Sequence, residues 1–226
     1  MNPRIVVSDL VSHLLFEVSQ NPSVIPVCER LSNGSDIWRC LLFCILSSQV
    51  KVESARRAVD ALMNEVAFES LSRSEVFHHA RHVLRSAEVR YRFPDARSRQ
   101  IADSWFAFAQ IKDDFYGYLD SYSAEADARL AIADRFPGLG LKQASMFLRD
   151  IGYSLRLCVI DTHIVWYCVN VGFEAAGVVT PRRYLKLEEY LLNESDALGV
   201  APNVLDSAIW AAVKTFKSRQ CMMQFA

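Results

Sequence analysis

The chain has 226 residues, 51% of them hydrophobic, and its 25 basic and 26 acidic side chains leave a formal charge of −1. That length supports one sizeable core or two small lobes, and the charge argues against a protein that coats nucleic acid nonspecifically. No apolar run reaches the roughly twenty residues that a membrane span needs. The opening Met1-Asn2-Pro3-Arg4 lacks a basic region followed by a long apolar stretch, so a cytoplasmic, nucleoid-associated location is expected.

In chain order the sequence reads as helix after helix. Ser8 is placed to cap a run with Leu10, Val11, Leu14, Leu15 and Val18 on one face, ending at Asn21-Pro22. Asp36 opens a strongly apolar helix through Trp38, Leu41, Leu42, Cys44 and Ile45, which delivers Ser47, Ser48 and Gln49 at its C-terminal end. A helix over 53–66 follows, with Ala55, Val59 and Leu62 inward. Between Arg73 and Arg99 stand seven arginines and three histidines against Glu75, Glu88 and Asp95. Such a segment reads as a solvated face, with Arg90-Tyr91-Arg92 a candidate flank for nucleic acid. Helices are then predicted over 95–110, 123–136 and 141–151. Asp161 precedes the helix-period run Ile164, Val165, Tyr167, Cys168 and reads as its N-cap. Pro181 starts another amphipathic run, and a last helix covers about 203–216.

The densest chemistry lies at Phe136-Pro137-Gly138-Leu139-Gly140-Leu141-Lys142. Pro137 and the two glycines make a tight turn, and glycine leaves no Cβ between its amide and an approaching anion. Turn amides aimed outward at a helix start form a phosphate site. Lys142 falls in the first helical turn, where the positive end of the helix dipole disfavours an ammonium and so favours a nucleophilic amine. Asp161 could orient that amine and stabilise a cationic intermediate. Taken singly, each feature also has a plainer reading: a connector, a solvated lysine, a simple helix cap.

Taken together, these residues resemble the helix-hairpin-helix DNA glycosylases, whose members carry a Gly/Pro-rich hairpin followed by a catalytic aspartate. The hairpin lysine and the Asp161-Thr162-His163 spacing are similar to the bifunctional glycosylase/lyase branch that excises 8-oxoguanine. Leu46-Ser47-Ser48-Gln49-Val50-Lys51 resembles the segment from which a polar side chain wedges into the gap left by a flipped base. Leu205-Asp206 with Trp210 is similar to the last helix of the small archaeal-type members. The resemblance implies an all-α, two-lobed fold, with one lobe at about 36–135, the other formed by 1–35 plus 136–226, and the hairpin at about 124–151. It implies a base-excision repair enzyme that acts as a monomer on double-stranded DNA. Lys142 would form a Schiff base and Asp161 would face it across a cleft. Gln49, Lys51, Gly138, Leu139, Gly140 and His163 would contact DNA, and Asp206 and Trp210 would line the base pocket. Removal of an oxidised purine, 8-oxoguanine first, followed by β-elimination is the expected reaction. A glycosylase for another modified base and a non-catalytic binder of damaged or abasic DNA remain alternatives. The ending Phe216 to Ala226 departs from the terminal lysine of the archaeal type, as do Ser207 and Ala208 from its bulkier residues.

The six cysteines (28, 40, 44, 158, 168, 221) are scattered and read as free thiols in the main buried. They form no C-terminal cluster of the kind that ligates iron–sulfur in other branches of the superfamily, so no iron–sulfur cluster and no catalytic metal are expected. A monovalent cation bridging hairpin carbonyls to phosphate is implied by the resemblance.

Overall fold

A computed structural model describes residues 3–20 and 29–223, without the side chains of 3–7, 19 and 219–223. The chain divides by contacts into a central unit, residues 29–153, and a terminal unit built from 1–28 and 154–226. The described residues are helical with no strand, and no helix among them is long and apolar enough to cross a membrane.

The central unit is organised around α2 (Gly34–Leu46), in which Leu41, Leu42, Cys44, Ile45 and Leu46 are fully buried. Apolar residues on most sides make a helix that other helices must surround. Accordingly α2 packs against α3 (Val52–Glu65), α5 (Pro94–Ala109) and α8 (Leu141–Asp150). Between them lie α4 (Arg73–Arg85), α6 (Phe115–Asp120) and α7 (Glu125–Arg135). An aromatic cluster of Trp38, Phe68, Trp105 and Phe108 continues through Phe115 to Phe147 and ties α2, α5, α6 and α8 together.

The two ends of this unit are joined by a short strap. The Leu31 amide donates to the Ile151 carbonyl (3.3 Å) and to the Tyr116 hydroxyl (2.9 Å), which itself donates to Ile151 (2.6 Å). Arg30 pairs with Asp120 and stacks over Tyr116 and Tyr153. Gly152 (φ +73°) lies so close that a Cβ there would be 2.4 Å from the carbonyl carbon of Glu29. Only glycine fits that approach and that dihedral.

The terminal unit gathers α1 (Pro3–Gln20), α9 (Thr162–Asn170) and α10 (Pro181–Leu198) around α11 (Pro202–Met223). Leu187, Leu191, Leu205, Ile209 and Val213 form its core. The buried segment 157–160 leads into α9.

Several boundaries differ from expectation for local reasons. Ser8 lies within α1 rather than capping it, since the helix begins at Pro3, a residue suited to a first turn. The cap of α2 is Asn33, whose side chain accepts from the Asp36 amide (2.7 Å) and donates to the Asp36 carboxylate (2.6 Å). Within the arginine-rich stretch, α4 begins at a capping box formed by Ser72 and Glu75 and buries Val76, Ala80, Val83 and Leu84. Its arginines are largely paired: Arg73 with Asp103, and Arg81 and Arg85 with Asp95. By contacts, residues 29–35 and 136–153 group with the central unit, because α8 packs on α7 and α2. Cys28, the Cys221 side chain and the end of the divergent tail lie outside the described residues.

Candidate active site

In the central unit, α7 is followed by its C-cap Phe136, which is fully buried and anchors the turn. Gly138 takes φ +98°, and the Leu139 amide closes the turn onto the Phe136 carbonyl at 3.2 Å. A Cβ on Gly138 would meet the Gln100 side chain at 2.7 Å, and the Leu139 side chain is buried beneath the turn. Gly140 differs from Gly138. Its backbone is extended (φ −100°), a conformation open to any residue, and a Cβ there would meet only Gln143 Oε1 at 4.0 Å. What its small size gives is clear space over the start of α8. That helix has no side-chain cap and no acidic residue in its first turn. Its leading amides therefore stay available to an external anion.

Lys142 sits in that first turn, half-buried, with Nζ 3.9 Å from Met146 Sδ one turn on. Its ammonium is felt further along the unit. Burial holds the Asp150 carboxyl above the ordinary carboxylate range, and the Arg149 guanidinium and Lys142 partly oppose that. The Cys44 thiol, fully buried, is raised well above its usual value by burial and by Asp150. Cys44 is therefore an inert packing group.

Just past the C-terminal end of α2, Gln49 is exposed and adopts φ +63°, the left-handed region that β-carbon-bearing residues rarely occupy. Two neighbours hold this turn. The Tyr91 hydroxyl donates to the Leu46 carbonyl (2.5 Å), and Arg92 Nη1 donates to the Gln49 carbonyl (3.3 Å). Arg90, immediately before these two residues, is also at positive φ (+45°). The Arg90-Tyr91-Arg92 stretch thus supports the Gln49 turn, a role that spacing alone did not reveal. Lys51 is exposed and stands at the cap position of α3.

In the terminal unit Asp161 is the N-cap of α9. Its Oδ1 accepts from the amides of His163 (2.8 Å) and Ile164 (3.0 Å), while Oδ2 meets His163 Nδ1 at 3.1 Å. The carboxylate is thereby fixed in place, with its side chain only 19% exposed. The segment leading to it is pinned from beneath by three buried side chains. Glu188 accepts from the Cys158 amide (3.2 Å), Asp206 from Val159 (2.7 Å), and Tyr184 from Ile160 (3.4 Å) while donating to the Cys158 carbonyl (2.8 Å). Tyr184 and Glu188 were not singled out from the sequence. Both lie on the inward stripe of α10, where a polar residue among apolar ones was the available signal. Asp206 is buried (2% exposed) and engaged with this segment. Trp210 is 40% exposed, with its ring 5.8 Å from that of His163 and beneath Lys214 Nζ at 4.4 Å.

The structure thus groups the sequence-derived residues in two sets. Gln49, Lys51, Gly138, Leu139, Gly140 and Lys142 belong to the central unit, and Asp161, His163, Asp206 and Trp210 to the terminal one. Chemically they supply an uncapped helix start, a first-turn amine, an oriented carboxylate and an exposed aromatic face.

The family model for 8-oxoguanine DNA glycosylase matches residues 27–200. An 8-oxoguanine DNA glycosylase/AP lyase from Sulfurisphaera tokodaii is 32% identical over 184 residues, covering 80% of this chain and 85% of the relative. One from Saccharolobus islandicus is 27% identical over 212 residues, covering 87% and 96%. Among solved structures, the 8-oxoguanine DNA glycosylase of Thermotoga maritima superposes with a TM-score of 0.70 at 23% identity, covering 92% of this chain and 97% of that one. The Methanocaldococcus jannaschii 8-oxoguanine glycosylase/lyase, in complex with a 15mer DNA containing 8-oxoguanine, gives 0.61 at 22% identity, covering 90% and 88%.

Proposed function

We propose, since the chain belongs to the 8-oxoguanine DNA glycosylase family, that it excises 8-oxoguanine from double-stranded DNA and then cuts the strand as an AP lyase. The observation that carries this reading is the placement of Lys142. A primary amine opens a helix that offers uncapped amides and no acidic side chain, directly after the hairpin. The amides of Gly138 and Gly140 hold a backbone phosphate, with a monovalent cation on the hairpin carbonyls as a further bridge and His163 beside a phosphate. Lys51 adds a cation near the wedge. Flipping the damaged nucleotide costs a few kcal/mol. Gln49 fills the vacated space and offsets part of that cost. Trp210, with its exposed ring, belongs to the pocket for the flipped base, and Asp206 from the same helix holds the segment that leads to Asp161.

Lys142 Nζ attacks C1′ of the flipped nucleotide while the N-glycosidic bond breaks and the base departs with its bonding electron pair. The amine loses protons to the medium as an imine forms with the opened sugar. Removal of a C2′ proton then expels the 3′ phosphate by β-elimination. Asp161, fixed by two amides and His163, stabilises the positive charge that develops on the sugar without having to reorient.

Borohydride trapping on duplexes carrying 8-oxoguanine or an abasic site, with Lys142→Gln alongside, tests this. A Lys142-dependent adduct on the 8-oxoguanine duplex is expected. An adduct on the abasic duplex alone would move the substrate to another modified base. No adduct on either, with DNA binding retained, would make the chain a binding module and overturn the proposal.

A further inference from the structure

The stretch from Tyr91 to Gln100 touches both turns of the central unit that the proposed function places on DNA. At the Gln49 turn, the Tyr91 hydroxyl holds the Leu46 carbonyl and Arg92 holds the Gln49 carbonyl. At the hairpin, Gln100 of α5 lies against Gly138. A Cβ on that glycine would stand 2.7 Å from Gln100 Oε1 and 3.2 Å from Nε2. The bare glycine thus lets the hairpin rest directly on this carboxamide.

Arg97, one turn earlier on α5, fixes the carboxamide, because its Nη1 donates to Gln100 Oε1 at 2.7 Å. The same guanidinium acts on Tyr91, which is only 5% exposed. Burial raises the Tyr91 hydroxyl above its usual value, and the charge of Arg97 opposes that. Arg97 therefore links a side chain that supports the Gln49 turn to the one that supports the hairpin. Its own charge is a second, independent observation. On the neighbouring α4, Arg73, Arg81 and Arg85 are paired with carboxylates. Arg97 is half-buried, yet none of its partners among the described residues is a carboxylate. A side chain that only pinned a helix would need no permanent charge. Here the charge is left uncompensated beside the turn proposed to hold a phosphate.

We propose that Arg97 and Gln100 are positioning residues, which set the hairpin relative to the Gln49 turn so that phosphate grip and wedge engage one duplex in register. The inference rests on the function proposed above and deepens it. Neither residue acts on the reacting sugar. They make the two contacts simultaneous, which matters most where a stacked base must be flipped.

Single-turnover excision on an 8-oxoguanine duplex and borohydride trapping on an abasic duplex test this together. An abasic site has no base to unstack, so register matters less there. In Arg97→Ala and in Gln100→Ala, excision should fall roughly 10–100-fold, with abasic trapping within about threefold of wild type. Should Arg97→Ala fail to fold, Gln100→Ala leaves both Arg97 and Tyr91 in place. A double-mutant cycle with Gln49→Ala gives the second reading. Once the wedge is gone, adding either substitution should slow excision by less than about threefold. Excision at the wild-type rate, equal losses on both duplexes, or additive losses in the cycle would overturn the inference and leave the proposed function standing. A wild-type protein that does not excise 8-oxoguanine would fail the proposed function itself, and this inference with it.

Discussion

Replacing Gln49 by glycine should raise stability and lower activity together. The residue sits at φ +63°, where a side chain costs about 1–2 kcal/mol relative to the usual right-handed region. Glycine removes that cost but loses roughly 0.5–1 kcal/mol through its freer unfolded chain, leaving a net gain of about 0.5 kcal/mol. At roughly 2–4 °C per kcal/mol, the melting midpoint should rise by about 1–2 °C. The Arg92 bond to the residue 49 carbonyl survives, because it is made to the backbone. Excision should move the other way. If the Gln49 side chain offsets about 2 kcal/mol of flipping cost, its loss slows single-turnover excision roughly 30-fold at 1.36 kcal/mol per tenfold. Gln49→Ala separates the two effects: it keeps the dihedral cost and loses the wedge, so excision should fall as far with no gain in midpoint. Thermal melts beside single-turnover assays on an 8-oxoguanine duplex give both numbers. A lower midpoint in Gln49→Gly, or excision at the wild-type rate, would refute the reasoning.

Gly152→Ala places a Cβ 2.4 Å from the Glu29 backbone at φ +73°, so a loss of about 3 kcal/mol, roughly 6–12 °C in midpoint, is expected by calorimetry. Asp161→Asn keeps a side-chain oxygen for the His163 and Ile164 amides, and asparagine caps about as well as aspartate. Its melting should stay within a degree of wild type while excision drops by orders of magnitude, whereas Asp161→Ala should also lose about 1 kcal/mol; equal activity in Asp161→Asn would remove Asp161 from the chemistry. Burial raises the folded Asp150 carboxyl above its unfolded value, so the folded state binds the proton more tightly. Asp150 therefore opposes folding increasingly as pH climbs from about 4 through its raised value. Asp150→Asn should flatten that part of the stability profile and be more stable at neutral pH, and urea midpoints across pH 4–8 that run parallel to wild type would show otherwise.

Much of the site was legible because its signals are local. The hairpin, the lysine after it and the Asp161 cap depend on short-range geometry, and they stand where spacing placed them. What escaped were long-range partners. Nothing near Arg92 in sequence announces that it reaches the Gln49 carbonyl, and nothing near Tyr184 or Glu188 shows that they hold residues 158–160. The α4 helix was obscured because its four charged side chains and three histidines together outnumber its four buried residues. Ser8 misled because a helix-favouring proline lay five residues ahead of a residue that caps well elsewhere.

The uncapped, acid-free start of α8 has a consequence for how the protein responds to ionic strength. Lysines and arginines that neutralise phosphates displace condensed cations, and each such contact steepens the fall of affinity with salt. Neutral amides displace almost none. On the proposed function, a chain of formal charge −1 that holds the DNA backbone in part through hairpin amides would lose less of its hold as salt rises. It would also linger little on undamaged duplex, because long-range attraction is not what detains it there.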